Sequence, residues 1–306
     1  MSQAITPIET RTNRAIAFLL LSQIVLLFLD ISAKWLSIRG MPTTEVVFVR
    51  YGVHVLLLLA LFLPVTGRQL FASNNLKLEL LRAVCLLATT GLNFLAMRYL
   101  PLTVTSAILF TSPLLICALS GPLLGETVGW RRWTAIGVGF IGILIIVRPG
   151  SEAFQPAALL SLGCALFLAF FSILTRKLAG VDTPATQQFY GGATAVVLLA
   201  PVAMTGWVWP SEPVSWVAFG VMGAAGLGGH LLNSVAHRLA TPATLAPFTY
   251  MSLLYLSLAS WLVFDQPPDS LFVVGAAIII GSGLYIWLRE RSLSRPTSVV
   301  EMVERD

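Results

Sequence analysis

Charge is what this sequence has least of. Nineteen Lys and Arg with fourteen Asp and Glu make up only 11% of 306 residues, where soluble domains carry roughly a quarter. A soluble chain of this length can bury a large core but still needs a charged surface, and these residues are too few to make one. No basic run is interleaved with aromatics, so the net charge of +5 carries no nucleic-acid signal. Cys85, Cys117 and Cys164 are odd in number, widely spaced and set in apolar segments, which argues against a disulfide set or metal site. No HExxH, paired-aspartate metal motif, GxSxG, P-loop or dinucleotide fingerprint stands in a usable context. An intramembrane enzyme is thereby disfavoured, and no cofactor is expected.

What the sequence has in abundance is apolar length. Hydrophobic residues reach 57%, and a bilayer-crossing helix needs about 20 of them in succession. Ten such segments are predicted near 15–37, 43–65, 78–98, 101–124, 130–148, 156–178, 184–205, 213–237, 242–264 and 268–288. Arg11 and Arg14 before "AIAFLLLSQIVLLFL" imitate a signal peptide, but no convincing cleavage site follows, and the stretch reads as the first span.

With an even number of spans both termini share one side. If that side is cytoplasmic, 14 of the 19 Lys and Arg lie inside and five, Lys34, Arg39, Arg50, Arg98 and Arg148, lie towards the outside. The positive-inside rule therefore predicts a multi-pass protein of a bacterial-type inner membrane with both termini cytoplasmic. All eight tryptophans fall at or near predicted helix ends, as an aromatic belt does, and lipid is an expected partner.

The sequence also repeats itself. "NFLAMRYLP" at 93–101 returns as "NSVAHRLATP" at 233–242, which matches Asn93, Ala96 and Arg98 with Asn233, Ala236 and Arg238. Ser112 matches Ser252, Lys34 matches Lys177, and Pro42 and Pro184 each open a span. The repeat unit is five helices, an odd number, so the second half enters the membrane from the opposite side. The expected fold is an all-α integral membrane protein of ten transmembrane helices in two inverted five-helix repeats. The first occupies 1–150, and the second occupies 151–306 with a cytoplasmic C-terminal tail.

The segment "RYLPLTVTSAILFTSPLLICALSGPLLGETVGWRRWTAIGVGFIGILIIV" resembles the second part of an EamA domain of the drug/metabolite transporter superfamily. Its small-residue helix, its corner at Leu123 to Glu126 and its glycine-spaced last helix carry the likeness. Two such domains resemble the YddG-like amino-acid exporters. The resemblance implies export of amino acids or related metabolites by alternating access. The second half departs from it, with Ser252-Leu253 in place of Ser112-Pro113 and Asp265-Gln266 in place of the Gly-Glu corner.

Polar groups within the membrane are functional candidates by default. Asp30 and Lys34 lie one turn apart in span 1, which suits either an i, i+4 structural pair or a gate towards the outside. Arg50, after Pro42 in span 2, resembles an arginine of the family and can meet Asp30 or a substrate carboxylate in a two-bond fork. Phe48, Tyr51 and Tyr190 are candidate cavity aromatics, with helix packing as the alternative. Ser112, His230, Tyr250 and Ser252 complete the predicted substrate-binding set, while His54 is read as a core histidine. Lys34, Arg82, Arg98 and Arg238 are assigned to span ends as anchors or lipid-headgroup contacts, and the Asn-x-x-Ala-x-Arg motif is read as helix-end hardware with the substrate elsewhere.

No acidic residue stands alone in mid-span, which favours facilitated export over proton-coupled antiport. A channel filter is usually built from several subunits, whereas duplication within one chain suits alternating access. The protein is expected to work as a monomer on a small-molecule substrate.

Overall fold

The computed structural model describes residues 8–124, 129–149, 154–178, 181–240, 245 and 248–293. The corner at Gly125-Glu126, the expected start of the ninth span at Pro242 and the tail from 294 lie outside the described residues. All regular structure among the described residues is helical: α1 (Ile8–Ile38), α2 (Thr43–Thr66), a 3-10 turn (Gly67–Phe71), α3 (Leu76–Tyr99), α4 (Leu102–Leu109), α5 (Ser112–Leu124), α6 (Trp130–Val147), α7 (Ala158–Lys177), α8 (Pro184–Thr205), α9 (Pro213–Leu239), α10 (Met251–Phe264) and α11 (Ser270–Leu293). Eight stretches are long and apolar enough to cross a membrane, with α4 and the start of α5 counted as one, and shorter apolar helices lie in α6 and α10. The fold is the expected all-α bundle of ten spans.

Local chemistry sets the ends. The Asn75 side chain accepts from the Leu78 N–H at 3.2 Å to open α3, and Thr183 does the same for Thr186 at 3.1 Å in front of Pro184, each satisfying an orphan donor of a first turn. The fourth span is interrupted at Phe110 and Thr111, where Pro113 can neither donate to nor accommodate the carbonyl of Leu109. The ninth has a turn at the matching residue, Tyr250, although Leu253 stands in place of that proline.

The packing obeys an exchange of halves. Helix α1 lies along α9 as α3 lies along α7, and α2–α8, α4–α10 and α6–α11 are pairs between matching spans. These approaches rest on missing side chains. A Cβ on Gly229 of α9 would sit 2.6 Å from Leu26 Cγ of α1, and one on Gly142 of α6 would sit 2.8 Å from the Gly275 carbonyl oxygen of α11. Small residues at such crossings are what drives helix association in lipid.

Hydrogen-bonded clamps at the two ends follow the same exchange. The membrane face on which α1 begins is called the near face, and the face that carries the α1–α2 connection the far face. At the far face, Arg39 of the α1–α2 connection pairs with Glu212 of the α8–α9 connection. At the near face, Asp182 of the α7–α8 connection accepts from Ser73 Oγ at 2.7 Å and from the Asn74 N–H at 2.7 Å, both in the α2–α3 connection. Slight burial works to raise Asp182, but these hydrogen bonds outweigh it and hold the carboxyl below its ordinary range. At the far face, Arg148 also pairs with Asp269 before α11. Asp269 is likewise held low, because the Phe272 N–H at 2.7 Å and the Arg148 guanidinium outweigh its burial.

Candidate substrate cavity

Between the halves lies a cavity of about 410 Å³, within the range of small-molecule sites. Seven helices contribute. From α1 come Ser22, Gln23 and Asp30, from α2 Arg50, and from α3 Thr89, Thr90, Asn93 and Phe94. Phe110 follows α4, Phe171 belongs to α7, His230 and Asn233 to α9, and Ser252 and Tyr255 to α10. Apolar walls with a few convergent polar groups are the ordinary make-up of a ligand site.

The polar groups are held unevenly. Arg50 donates from Nη1 to Thr90 Oγ1 at 2.9 Å, and the Tyr51 hydroxyl lies 2.7 Å from the same oxygen. The guanidinium lies 4.5 Å from the Tyr51 ring centroid and 5.7 Å from that of Phe94, so aromatic faces help to support its charge. Its Nε has no hydrogen-bond partner. Asp30 shares the cavity and feels the Arg50 charge, yet among the described residues no salt bridge joins them. The cavity thus holds a carboxyl group and a guanidinium that no salt bridge joins.

Lys34 requires a correction. It does not pair with Asp30: its ammonium donates to the Leu100 carbonyl at 2.9 Å and to Gln266 Oε1 at 2.6 Å, and the residue is 1% exposed. The spacing of four gives a common face, but the long stem carries the charge about one turn further towards the far face. There it ties α1 to the α3–α4 and α10–α11 connections. Asp30 is left to the cavity without the Lys34 partner, against the expectation that no acidic residue stands alone in mid-span.

Of the other predicted residues, Arg50, His230 and Ser252 line the cavity with Asp30, and Phe48, Tyr51, Ser112, Tyr190 and Tyr250 do not. Phe48 packs edge-on against Trp207, 6.3 Å between centroids. Tyr51 acts one layer out through Thr90. Ser112 is buried at the start of α5. Tyr190 donates to the Phe71 carbonyl at 2.9 Å, at the near-face end of α8. Tyr250 packs on Phe110 and over Gly283 of α11.

Two further readings change. Asn93 and Asn233 are not only helix-end hardware, since both line the cavity; Arg98 and Arg238 are exposed near opposite faces, as the motif predicts. Arg82 is no lipid anchor. It is buried, donates to Thr175 Oγ1 at 2.8 Å and to the Gln187 carbonyl at 3.0 Å, and stands 3.6 Å from Glu79, so it joins α3 to α7 and α8. Among the cavity residues that the sequence reading missed or misassigned are the polar Ser22, Gln23, Thr89, Thr90, Asn93 and Asn233 and the aromatic Phe94, Phe110, Phe171 and Tyr255. The signal that could have found the asparagines was their recurrence in register within two inverted halves.

Comparison with known proteins agrees with this architecture. A solved crystal structure superimposes with a TM-score of 0.63 over 92% of this chain and 99% of its own, at 18% identity, which speaks for the fold alone. The chain is 32% identical to a riboflavin transporter of Vibrio cholerae over 86% of this chain and 89% of the relative. It is 27% identical to an S-adenosylmethionine uptake transporter of Rickettsia prowazekii over 90% and 93%. It is 25% identical to a pseudopaline exporter of Pseudomonas aeruginosa over 78% and 84%. The EamA-like transporter family matches twice, at residues 13–148 and 155–288. Two matches that together span most of the ten helices establish a membrane transporter, not an enzyme: this chain belongs to the EamA-like transporter family.

Proposed function

We propose that the chain exports amino acids, aromatic and other neutral ones included, and related small metabolites by alternating access through the central cavity. The observation that carries this reading is the coexistence of Asp30 and Arg50 in one cavity without a salt bridge between them. A zwitterion supplies a cation to the carboxylate and a carboxylate to the guanidinium, whose Nε is unpartnered. His230 and Ser252 add hydrogen-bonding groups, and Phe94, Phe110, Phe171 and Tyr255 suit an aromatic or aliphatic side chain. In this reading Asp30 and Arg50 hold the substrate, Tyr51 steadies Arg50, and Lys34 closes the far face.

Inverted halves supply the two-way opening, with the near face cytoplasmic as the Lys and Arg bias requires and the inner membrane as the site of action. The halves meet within one chain, which supports a working monomer. We read the transport as facilitated diffusion, in which the solute gradient sets the net direction; proton exchange through Asp30, which lacks the Lys34 partner, is the alternative that an imposed pH gradient tests.

A second reading, favoured by the riboflavin transporter relative, is a flat heteroaromatic substrate stacked among the same rings. Competition separates the two. Proteoliposomes that take up labelled L-phenylalanine are challenged with neutral amino acids, amines, sugars, S-adenosylmethionine and riboflavin. Inhibition by zwitterions and not by amines or sugars supports the first reading; inhibition by riboflavin alone overturns it.

A further inference from the structure

We infer that Asn93 and Asn233 are a matched pair of substrate-contacting amides, one serving each membrane face, for a substrate edge that presents adjacent hydrogen-bond donor and acceptor groups. The inference rests on the reading that the central cavity is the transport site.

Both asparagines line that cavity, one from each half. They hold the same place in the repeated Asn-x-x-Ala-x-Arg, three residues before Ala96 and Ala236. Both alanines are 0% exposed and fix their helices against neighbours. The helices run in opposite directions, α3 ending at Tyr99 on the far face and α9 at Leu239 on the near face. Each asparagine is six residues from its helix end, about 9 Å along the axis. The pair therefore brackets the cavity along the membrane normal, Asn93 towards the far face and Asn233 towards the near face.

Neither amide is engaged as a structural one would be. The Oδ1 of Asn93 is buried without a hydrogen-bond partner, and its Nδ2 has only the Met97 sulfur at 4.0 Å. The Asn233 side chain makes no hydrogen bond among the described residues. An acceptor buried and left open at membrane depth, as Asn93 Oδ1 is, is costly, and such a group calls for an explanation in a native fold. A ligand supplies one here, since a carboxamide offers one acceptor and two donors and can read a neutral polar edge while Asp30 and Arg50 take the charges. Because the halves exchange roles between the two open states, a substrate entering from the far face meets Asn93 first. One entering from the near face meets Asn233.

The test uses the full chain with Cys85, Cys117 and Cys164 replaced by Ser, carrying N93C or N233C, in sealed vesicles. A membrane-impermeant charged thiol reagent should label N93C from the far face and N233C from the near face. Labelling of both from the same face, or of either from neither face, overturns the pairing, and this arm needs no substrate. In flux assays with L-phenylalanine and riboflavin as probes, N93A should raise the apparent KM about fivefold from the far face and little from the near face. N233A should do the reverse, and N93S and N233S serve if the alanine variants fold poorly. If the unaltered chain carries neither probe, the transport reading fails. If it carries one and each variant shifts both faces equally or not at all, that reading stands and the pairing falls.

Discussion

Phe110 and Tyr250 are 140 positions apart in the chain, and their rings meet with centroids 5.3 Å apart and planes tilted by 31°. They occupy the same register in the two halves, each at the interruption of its crossing helix. When matching residues of two related units touch, the symmetry axis passes between them. The pseudo-two-fold axis of this transporter therefore runs through an aromatic pair beside the cavity, which Phe110 lines.

That contact predicts coupling. In a double-mutant cycle of Phe110→Ala and Tyr250→Ala, thermal unfolding in detergent should give an interaction energy of about 0.5–1.5 kcal/mol. Strict additivity would mean that the rings are neighbours without being partners.

Lys34 predicts a selective opening. Lys34→Met leaves the Leu100 carbonyl and the Gln266 amide without their donor, a loss of about 1–3 kcal/mol concentrated at the far face. A cysteine at position 30 should then react faster with a charged reagent applied from the far face. An unchanged rate would show that the closure does not depend on the ammonium.

The near-face clamp predicts an acid sensitivity. Asp182 is held below its ordinary range, so its contribution is fully present above the usual Asp value of about 3.9 and is lost as pH falls through the depressed one. Hydrogen exchange of the Asn74 amide should therefore stay protected near neutrality and lose protection only below about pH 4. Asp182→Asn should remove this pH dependence.

A close helix approach predicts a steric limit. Gly229→Ala places a methyl 2.6 Å from Leu26 Cγ, and overpacking of this kind costs about 1–3 kcal/mol. Gly281, whose Cβ would meet nothing within 4 Å, supplies the control. Gly281→Ala should leave the unfolding temperature unchanged or raise it, and equal losses at both sites would contradict the packing described.

These relationships also mark where the sequence was legible. Apolar length, the Lys and Arg bias and the recurrence of Asn-x-x-Ala-x-Arg are properties of the chain itself, and they were enough to anticipate ten helices in two inverted repeats. The candidate cavity was only half legible. Asp30 and Arg50 announce themselves as charges within spans, but period and spacing give a helix face without saying which neighbour that face meets. Hence Arg82, near a helix start, looked lipid-facing although α7 and α8 cover it. Tyr190 looked central although it lies only two turns into α8. Asn93 and Asn233 looked terminal because their distance from the helix end is visible in sequence, while the depth to which the cavity reaches is not.

Most directly, the account stands on sided exchange in proteoliposomes with no imposed ion gradient. Vesicles preloaded with unlabelled L-phenylalanine should take up the labelled amino acid saturably and faster than empty ones, an imposed pH gradient alone should drive no accumulation, and Asp30→Asn or Arg50→Gln should lower exchange at least about tenfold, the loss of one charged hydrogen bond. Non-saturable flux, or exchange that both substitutions leave intact, would contradict transport through the cavity described.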